Sequence, residues 1–482
     1  MTENKRLSGD CMFVDTHAHL DEEEYSGRVD DVLAACLQVG VRRVVVQGSS
    51  LAESRLLCET LMKRPEVYGA LGCHPHEAKD WTASSGDELR ALVKSAGSKC
   101  VAIGEIGLDY YYDFSDHESQ HRAFLEQLAI ARELHLPVVI HTRDAWNDTL
   151  AILRDWTNSF VSDGLFYGVV HCWFGTPEQS RELRAMGFLM GVGGSVTFKK
   201  SEAIQASVRE MPLNSFVLET DAPYLSPVPY RGKPNTPASI PLIAQAIADL
   251  RGGHESPEEI AAVTTRNARC LYGAMGLPEL PAIAYCLGRS LYIALSNRCS
   301  CDCVFCTRRD KPLIHGWNLK MEQDPDESEV QRAVESWGPD FERFKEVVFC
   351  GFGEPTLRLD LLLKTAQWLK AHGARRIRIN TNGHSDLING AGSVARMKGI
   401  VDVVSVSLNA TNKEDYNRLN RPDHPDEAWD AMRNFVRDAA RELPECVGSA
   451  VGLPGRETDE IRAMALELGA KFRLRPYEDL SR

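Results

Sequence analysis

Between Met12 and Leu277 the chain repeats one pattern eight times: a short apolar run followed by a longer amphipathic segment. Short runs rich in Val, Ile and Leu read as strands buried on both faces, and the segments between them as the helices that cover those faces. The runs fall at residues 12–16, 43–47, 68–71, 101–104, 137–140, 167–170, 188–193 and 216–219. Eight strands alternating with helices predict an α/β fold closed into a (β/α)8 barrel. An open, doubly wound sheet would need a glycine-rich phosphate loop after its first strand. The first run leads instead into Asp15, Thr16, His17, Ala18 and His19.

Two histidines two positions apart on extended chain point to the same side, so His17 and His19 can reach one ion. One such pair does not make a metal site, since a lone buried histidine is more simply part of the core. The remaining runs strengthen the case. Glu105 follows the fourth in VAIGEIGLDY, His141 the fifth in PVVIHTRDA, His171 the sixth in GVVHCWFG and Asp221 the eighth in FVLETDAPYL. All six residues sit where strands pass into their loops, the rim that carries active sites in such barrels. Core histidines would not choose strand ends so consistently.

In this order, DTHAHLD, GCHPHEA, GEIGLDYYYD, IHTRDA, HCWFG and LETDAPYL resemble the TatD family of metal-dependent hydrolases, across nearly all of residues 11–277. The resemblance implies a TIM barrel with two divalent ions (Mg, Mn or Zn). His17, His19, Glu105 and Asp221 would hold one, and Glu105, His141 and His171 the other, with Glu105 bridging. A related barrel class bridges its metals through a carbamylated lysine, a role that falls to Glu105 here. Two ions activate a shared water and stabilise charge on the attacking and leaving oxygens, and Asp221 is the residue expected to take the water's proton. The family implies DNA hydrolysis that trims an end or a single strand, which makes nucleic acid the expected partner. Relatives of this barrel class also cleave esters, so an ester or aminoacyl-tRNA hydrolase is the alternative, and the ligands do not choose between them.

Other residues carry lesser expectations. His74 and His76 in CHPH are expected to line the substrate site, and Arg143 to hold a phosphate bidentately or to pair with Asp144. Tyr110, Tyr111 and Tyr112 offer ring faces to a base, although three consecutive rings cannot share one side. Glu219 is expected to orient another residue, and His117, His121 and His135 read as solvated positions of a helical stretch. Residues 1–277 hold 26 Lys and Arg against 37 Asp and Glu, so this part lacks the basic field of a sequence-independent duplex binder. Any nucleic acid is engaged locally, at an end or through the metals.

A second chemistry begins with LYIALSNRCSCDCVFCTR, an apolar run that opens into four cysteines within eight residues. Cys299, Cys303 and Cys306 have the spacing CxxxCxxC. Three thiolates hold three irons of a cubane cluster and leave the fourth open. Structural zinc wants four ligands, usually as two CxxC pairs, and no second pair follows. Disulfides belong to exported chains. A four-thiolate CxCxCxxC site that includes Cys301 stays open. With Phe305 before the last cysteine, the loop resembles that of radical S-adenosylmethionine (SAM) enzymes. The resemblance implies a [4Fe-4S] cluster, SAM bound at its open iron and an external electron donor.

Further runs at 346–350, 376–380, 402–407, 446–451 and 472–475 join 291–296 to predict a partial (β/α)6 barrel, the architecture of the smaller radical SAM enzymes. CGFGEPT resembles the motif that binds the amino group of SAM through its backbone, Gly353 included, and through Glu354. Asn380, Asn382, Ser405, Ser407 and Asn409 would reach the ribose and carboxylate, and VGLPG at 451–455 the adenine. Cys286, Cys350 and Cys446 are too scattered for an auxiliary cluster. The expected division is a tail at 1–10, the hydrolase barrel at 11–277, a short stiff linker at 278–289 whose prolines break regular structure, and the radical SAM domain at 290–482. The whole resembles TatD-associated radical SAM proteins joined to the TatD-type hydrolase itself, and covalent joining suggests one substrate or pathway. The competing view makes the second part a non-catalytic iron-sulfur module that binds partners or senses redox state. MTENKRLSGD has no apolar signal core and no later stretch spans a bilayer, so the chain is expected in the cytoplasm and away from membranes. Fourteen cysteines suit that reducing compartment. The oligomeric state is left open.

Overall fold

The computed structural model describes residues 12–277, 280–306, 313–314 and 316–477. It divides between Leu277 and Pro278 into two compact units.

In the first unit β1 (Phe13–Ala18), β2 (Val41–Gln47), β3 (Val67–Leu71), β4 (Cys100–Asp109), β5 (Val138–Arg143), β6 (Gly168–Val170), β7 (Phe188–Val192) and β8 (Phe216–Leu218) form a parallel sheet in sequence order. The ring closes between its ends. Thr16 Oγ1 donates to the Leu218 carbonyl at 3.0 Å, Asp221 N to the His17 carbonyl at 2.9 Å and His19 N to the Ala222 carbonyl at 2.8 Å. Parallel strands covered on both faces need unbroken apolar runs, and Phe13, Val44, Val46, Ile103, Ile140, Val170, Met190 and Leu218 are all buried. The surrounding helices start where their sequences say they should. Thr176 with Gln179, and Ser256 with Glu259, form reciprocal capping boxes ahead of a proline in the first turn of helices Pro177–Ala185 and Pro257–Tyr272.

β4 runs further than its apolar run predicts, which puts Glu105 inside the strand rather than after it. The extension pairs Gly107 with His141 and Asp109 with Arg143 on β5. A Cβ on Gly107 would fall 1.9 Å from the His141 carbonyl oxygen, so glycine alone permits this approach.

The second unit contains β9 (Leu280–Pro281), β10 (Ala284–Leu287), β11 (Ser290–Ile293), β12 (Leu313–Ile314), β13 (Trp317–Asn318), β14 (Glu346–Phe349), β15 (Ile377–Thr381), β16 (Val403–Ser407), β17 (Glu445–Gly452) and β18 (Lys471–Pro476). The main sheet has the order β10-β11-β14-β15-β16-β17-β18, and β12-β13-β9 make a small second sheet. The six strands from β11 to β18 are parallel, as expected of the partial barrel, and β10 adds an antiparallel edge. That edge lies within the stretch read as linker. Leu287 pairs with Ser290, and Gly288 takes φ +54°, so Gly288 and Arg289 form a two-residue hairpin turn rather than free chain.

One face of the main sheet is apolar: Ile293, Phe349, Ile379, Val404 and Cys446 lie in one register row and are buried. The Cys446 thiol reaches Val436 on helix Ala428–Glu442 from this side. The other face carries polar side chains, Arg378, Asn380, Ser405, Ser407, Glu445 and Ser449, alongside Val348 and Val403. Among the described residues no helix is long and apolar enough to cross a membrane.

Candidate functional site

The strand ends of the barrel bring the predicted ligands together around Glu105, which is 2% exposed. Its two oxygens face different groups. Oε2 lies 3.3 Å from His17 Nε2 and 3.9 Å from His19 Nε2. Asp221 Oδ1 completes that side at 3.7 Å from His17 Nε2 and 3.6 Å from His19 Nε2. Oε1 lies 2.8 Å from His171 Nε2 and 2.9 Å from His141 Nδ1. His74 Nε2 joins this second group at 3.4 Å. Imidazole and carboxylate donors without a thiolate suit a divalent ion, and three groups have donor atoms close enough to share one: His17, His19 and Asp221; His74, Glu105 and His141; and His17, His171 and Glu219.

The charges are balanced among these groups. Burial works to raise the Glu105 carboxyl, and the surrounding His171, His74, His17 and His141 outweigh it and hold it well below its ordinary value. Burial, reinforced by His171, lowers His17 to about 4. Burial opposes protonation of His19 as well, but the hydrogen bond and charge of Asp221 prevail and raise it to about 9. Asp221 is held below its usual range, against burial, by His19, His17 and His171.

Three carboxylates support the ligands. Asp15, fully buried, accepts from His17 N at 3.2 Å and Thr220 N at 3.0 Å through Oδ1, and from Thr220 Oγ1 at 2.5 Å through Oδ2. It thereby fixes the end of β1 against the chain that carries Asp221. Glu219 Oε1 accepts from Cys172 N at 2.5 Å, which holds the chain next to His171. Asp109, which motif reading passed over, accepts from His141 Nε2 at 3.0 Å and His76 Nε2 at 2.9 Å through Oδ2. A buried acid at the end of GEIGLD was the available signal. Such a partner fixes the ring and its tautomer, so that the other nitrogen is presented to an ion.

His76 therefore contacts the Asp109 carboxylate, whereas His74 lies with Glu105 and His141 in a group able to hold an ion. Arg143 makes no ion pair with Asp144. Its guanidinium stacks on Tyr111 at 3.9 Å from the ring centroid and lies 4.8 Å from Tyr112. Of the three tyrosines, Tyr110 turns to the helix, with its hydroxyl 2.6 Å from His121 Nε2 and 2.7 Å from Asp148 Oδ2. Tyr111 and Tyr112 remain exposed. His117 stacks on Tyr110, and exposed His135 lies beyond the helix, 2.9 Å from Asp163.

In the second unit the cysteine loop is clamped onto the end of helix Lys413–Asn420 and the chain after it. Asp302 N donates to the Asn420 carbonyl at 3.1 Å, Val304 N to the Leu419 carbonyl at 2.9 Å and Asp423 N to the Ser300 carbonyl at 3.0 Å. Cys299, Cys303 and Cys306 keep partial exposure, while Cys301 is buried. Cys301 Sγ lies 3.5 Å from Asn382 Nδ2 and 3.8 Å from His384 Nδ1. Three thiols left accessible on one loop fit a cluster with an open iron.

The motifs expected to hold SAM converge on the same strand ends. Gly353 permits the closest approach. A Cβ there would fall 2.2 Å from the Ser296 carbonyl oxygen and 2.5 Å from that of Arg298, and Glu354 N donates to the latter at 2.9 Å. The Glu354 side chain turns into the domain. Its Oε1 accepts from Thr356 N, Thr356 Oγ1 and Thr381 Oγ1 at 3.0, 2.7 and 2.8 Å, and its Oε2 from Asn382 N at 2.8 Å. The carboxylate thus ties the CGFGEPT loop to the end of β15. Asn382 passes the connection to the cysteine loop through Ser300 Oγ at 2.8 Å. Asn409 Nδ2 donates to Asn420 Oδ1 at 3.0 Å, and its Oδ1 accepts from Val451 N at 3.2 Å. Asn380 and Ser405 are paired in register on the polar face, Ser407 accepts from Arg475, and Phe305 is partly exposed.

A family profile described as TatD related DNase matches residues 14–273, and one for the radical SAM superfamily matches residues 293–468. The first unit is similar to the metal-dependent hydrolase YabD of Bacillus subtilis, 38% identical over 261 residues, which are 54% of this chain and 99% of that protein. It is also similar to the 3'-5' ssDNA/RNA exonuclease TatD of Citrobacter rodentium, 36% identical over 264 residues, 54% of this chain and 97% of that protein. Among solved structures, the TatD homologue YJJV of Escherichia coli K12 is 30% identical with a TM-score of 0.50, over 56% of this chain and 99% of that one. The chain belongs to the TatD related DNase family and carries a radical SAM superfamily domain after its hydrolase barrel.

Proposed function

We propose that the first unit is a two-metal phosphodiesterase that trims single-stranded DNA or RNA from an end, and that the second unit cleaves SAM reductively to act on a separate substrate. The observation that carries the first half is the divided carboxylate of Glu105, one oxygen toward His17 and His19 and the other toward His141 and His171. Two divalent ions held there supply an activated water and neutralise charge on the phosphate. His17, His19, Glu105 and Asp221 would hold one, and Glu105, His141 and His171 the other, with His74 beside the second. Asp221, kept ionised by its histidines, takes the water's proton. Arg143 on Tyr111 presents a cation and a ring face at the rim, which suits a single strand.

In the second unit Cys299, Cys303 and Cys306 would hold the cluster. With SAM at the open iron and an external electron donor, the cluster supplies hydrogen abstraction from a substrate. Gly353 lets the backbone of its loop reach the strand ends, and Glu354 fixes that loop from within.

The test of the hydrolase reading is a 5'-labelled single-stranded oligonucleotide incubated with the manganese-loaded full chain, beside its duplex and an aminoacyl-tRNA. Stepwise shortening of the single strand is expected. Ester cleavage with no shortening would replace the reading.

A further inference from the structure

The polar face of the main sheet in the second unit changes character along the strands. Near the strand starts it is closed by its own charges. Arg378 Nη2 lies 2.9 Å from Glu346, Arg376 Nη2 2.8 Å from Glu445, and Lys471 Nζ 3.4 Å from the same Glu445 carboxylate. Toward the strand ends, where the cysteine loop lies, the pairing stops. Register sets Ser407 beside Ser449 and Ser449 beside Arg473, and Arg475, two residues on, projects to the same side. Arg475 Nη2 donates to Ser407 Oγ at 3.1 Å. Among the described residues neither Arg473 nor Arg475 has a carboxylate partner.

Polar atoms with nothing to bind collect on this face. Arg475 Nε and Asn380 Oδ1 are buried without a partner. Buried polar groups are nearly always satisfied, so these two orphans above the ion-paired layer point to an occupant there. Burial lowers the Arg475 guanidinium from its ordinary value, an effect that the Cys350 thiol opposes and the neighbouring Arg473 reinforces. Partly desolvated Arg475 and exposed Arg473 therefore lie side by side with no carboxylate partner among the described residues.

We propose that Arg473 and Arg475, with the Ser407 hydroxyl beside them, bind the phosphate of a phosphate-monoester substrate of the second unit. This rests on the radical SAM reading of that unit. A guanidinium presents a fork of donors that matches a phosphate, and two unpaired positive charges match its dianion. The ion-paired layer below closes the floor, so a molecule held by its phosphate extends toward the cysteine loop. Phosphodiester hydrolysis, the reaction proposed for the first unit, releases groups of this class.

The test uses the full chain, reconstituted anaerobically with iron and sulfide and then stripped of loosely held divalent ions by chelation. Radiolabelled inorganic phosphate and SAM are measured separately by equilibrium dialysis in the wild type, Arg473→Gln, Arg475→Lys and the double variant Arg473→Gln/Arg475→Gln. The wild type is expected to bind phosphate, each single variant to bind it about tenfold more weakly, and the double variant to lose it, with iron content and SAM affinity unchanged. Arg473 is exposed on an edge strand, so its variant reports even if Arg475 substitutions disturb folding. Absence of phosphate binding in the wild type, or equal binding in the double variant, would overturn the proposal. Parallel loss of SAM binding would assign the arginines to the SAM carboxylate, and loss of iron would assign them to the cluster; either result overturns it too. A wild type that takes up neither iron nor SAM would instead refute the radical SAM reading, while the phosphate measurement still reports on the arginines.

Discussion

Asp109 Oδ2 accepts from His141 Nε2 at 3.0 Å, and the opposite nitrogen of that ring, Nδ1, lies 2.9 Å from Glu105 Oε1. The acid sets which nitrogen of His141 carries the proton and which is free for an ion. Asp109→Asn keeps the shape but loses the charge, and metal affinity should fall by about 10-fold to 100-fold. A competition titration against a chelator measures it. Unchanged affinity would show that His141 needs no support.

At the rim, Tyr111 is 56% exposed under the Arg143 guanidinium. If the ring stacks a base, Tyr111→Ala should raise KM for a single-stranded oligonucleotide about tenfold with little change in kcat. A change confined to kcat would remove the ring from substrate binding.

Gly353→Ala tests the approach of the CGFGEPT loop to the cysteine loop. The added methyl group would meet two backbone carbonyl oxygens at 2.2 and 2.5 Å, which a rotamer change cannot relieve. Overpacking of this kind costs about 1–3 kcal/mol, and SAM affinity should fall with it. Dialysis against SAM together with urea unfolding reads both; wild-type values in the two would contradict the packing described.

His384 gives the second unit a pH dependence. Burial, with a smaller contribution from His424, lowers its value from 6.5 to about 4, and its ring lies between Cys301 Sγ and the Tyr416 hydroxyl, the latter at 2.8 Å. Below 6.5 the unfolded chain takes a proton that the folded chain refuses until about 4. Stability that is complete above this window is therefore lost as pH falls through it, by on the order of 3 kcal/mol. Hydrogen exchange of β15 and β16 amides, compared between wild type and His384→Gln, should show the steeper pH dependence in the wild type. Equal slopes would contradict it.

The strand ends were legible because two signals coincided there: a period that marks buried strands, and polar residues that a buried strand would not otherwise carry. Where one signal was missing, the reading fell short. Asp109 lies inside an extended β4 whose polar close looks like a loop. His74 caps a short helical turn after β3, and its approach to Glu105 depends on the curvature of the barrel. Glycine and proline around Ala284–Leu287 suggested a linker, although the same Gly288 makes the hairpin turn of β10. The contacts that Glu354 makes with Thr381 at the end of β15 and with Asn382 just after it are a tertiary arrangement that local pattern does not carry.

Two separate catalytic centres on one chain would lose their activities independently. 5'-Deoxyadenosine formation from SAM by the anaerobically reconstituted, dithionite-reduced protein, read beside 3'-end trimming of single-stranded DNA on the same preparations of wild type, Cys303→Ala and Glu105→Ala, separates them. Cys303→Ala is expected to lose 5'-deoxyadenosine formation and keep trimming, while Glu105→Ala does the reverse. Failure of the iron-loaded wild type to form 5'-deoxyadenosine, or loss of both activities in either folded variant, would contradict it.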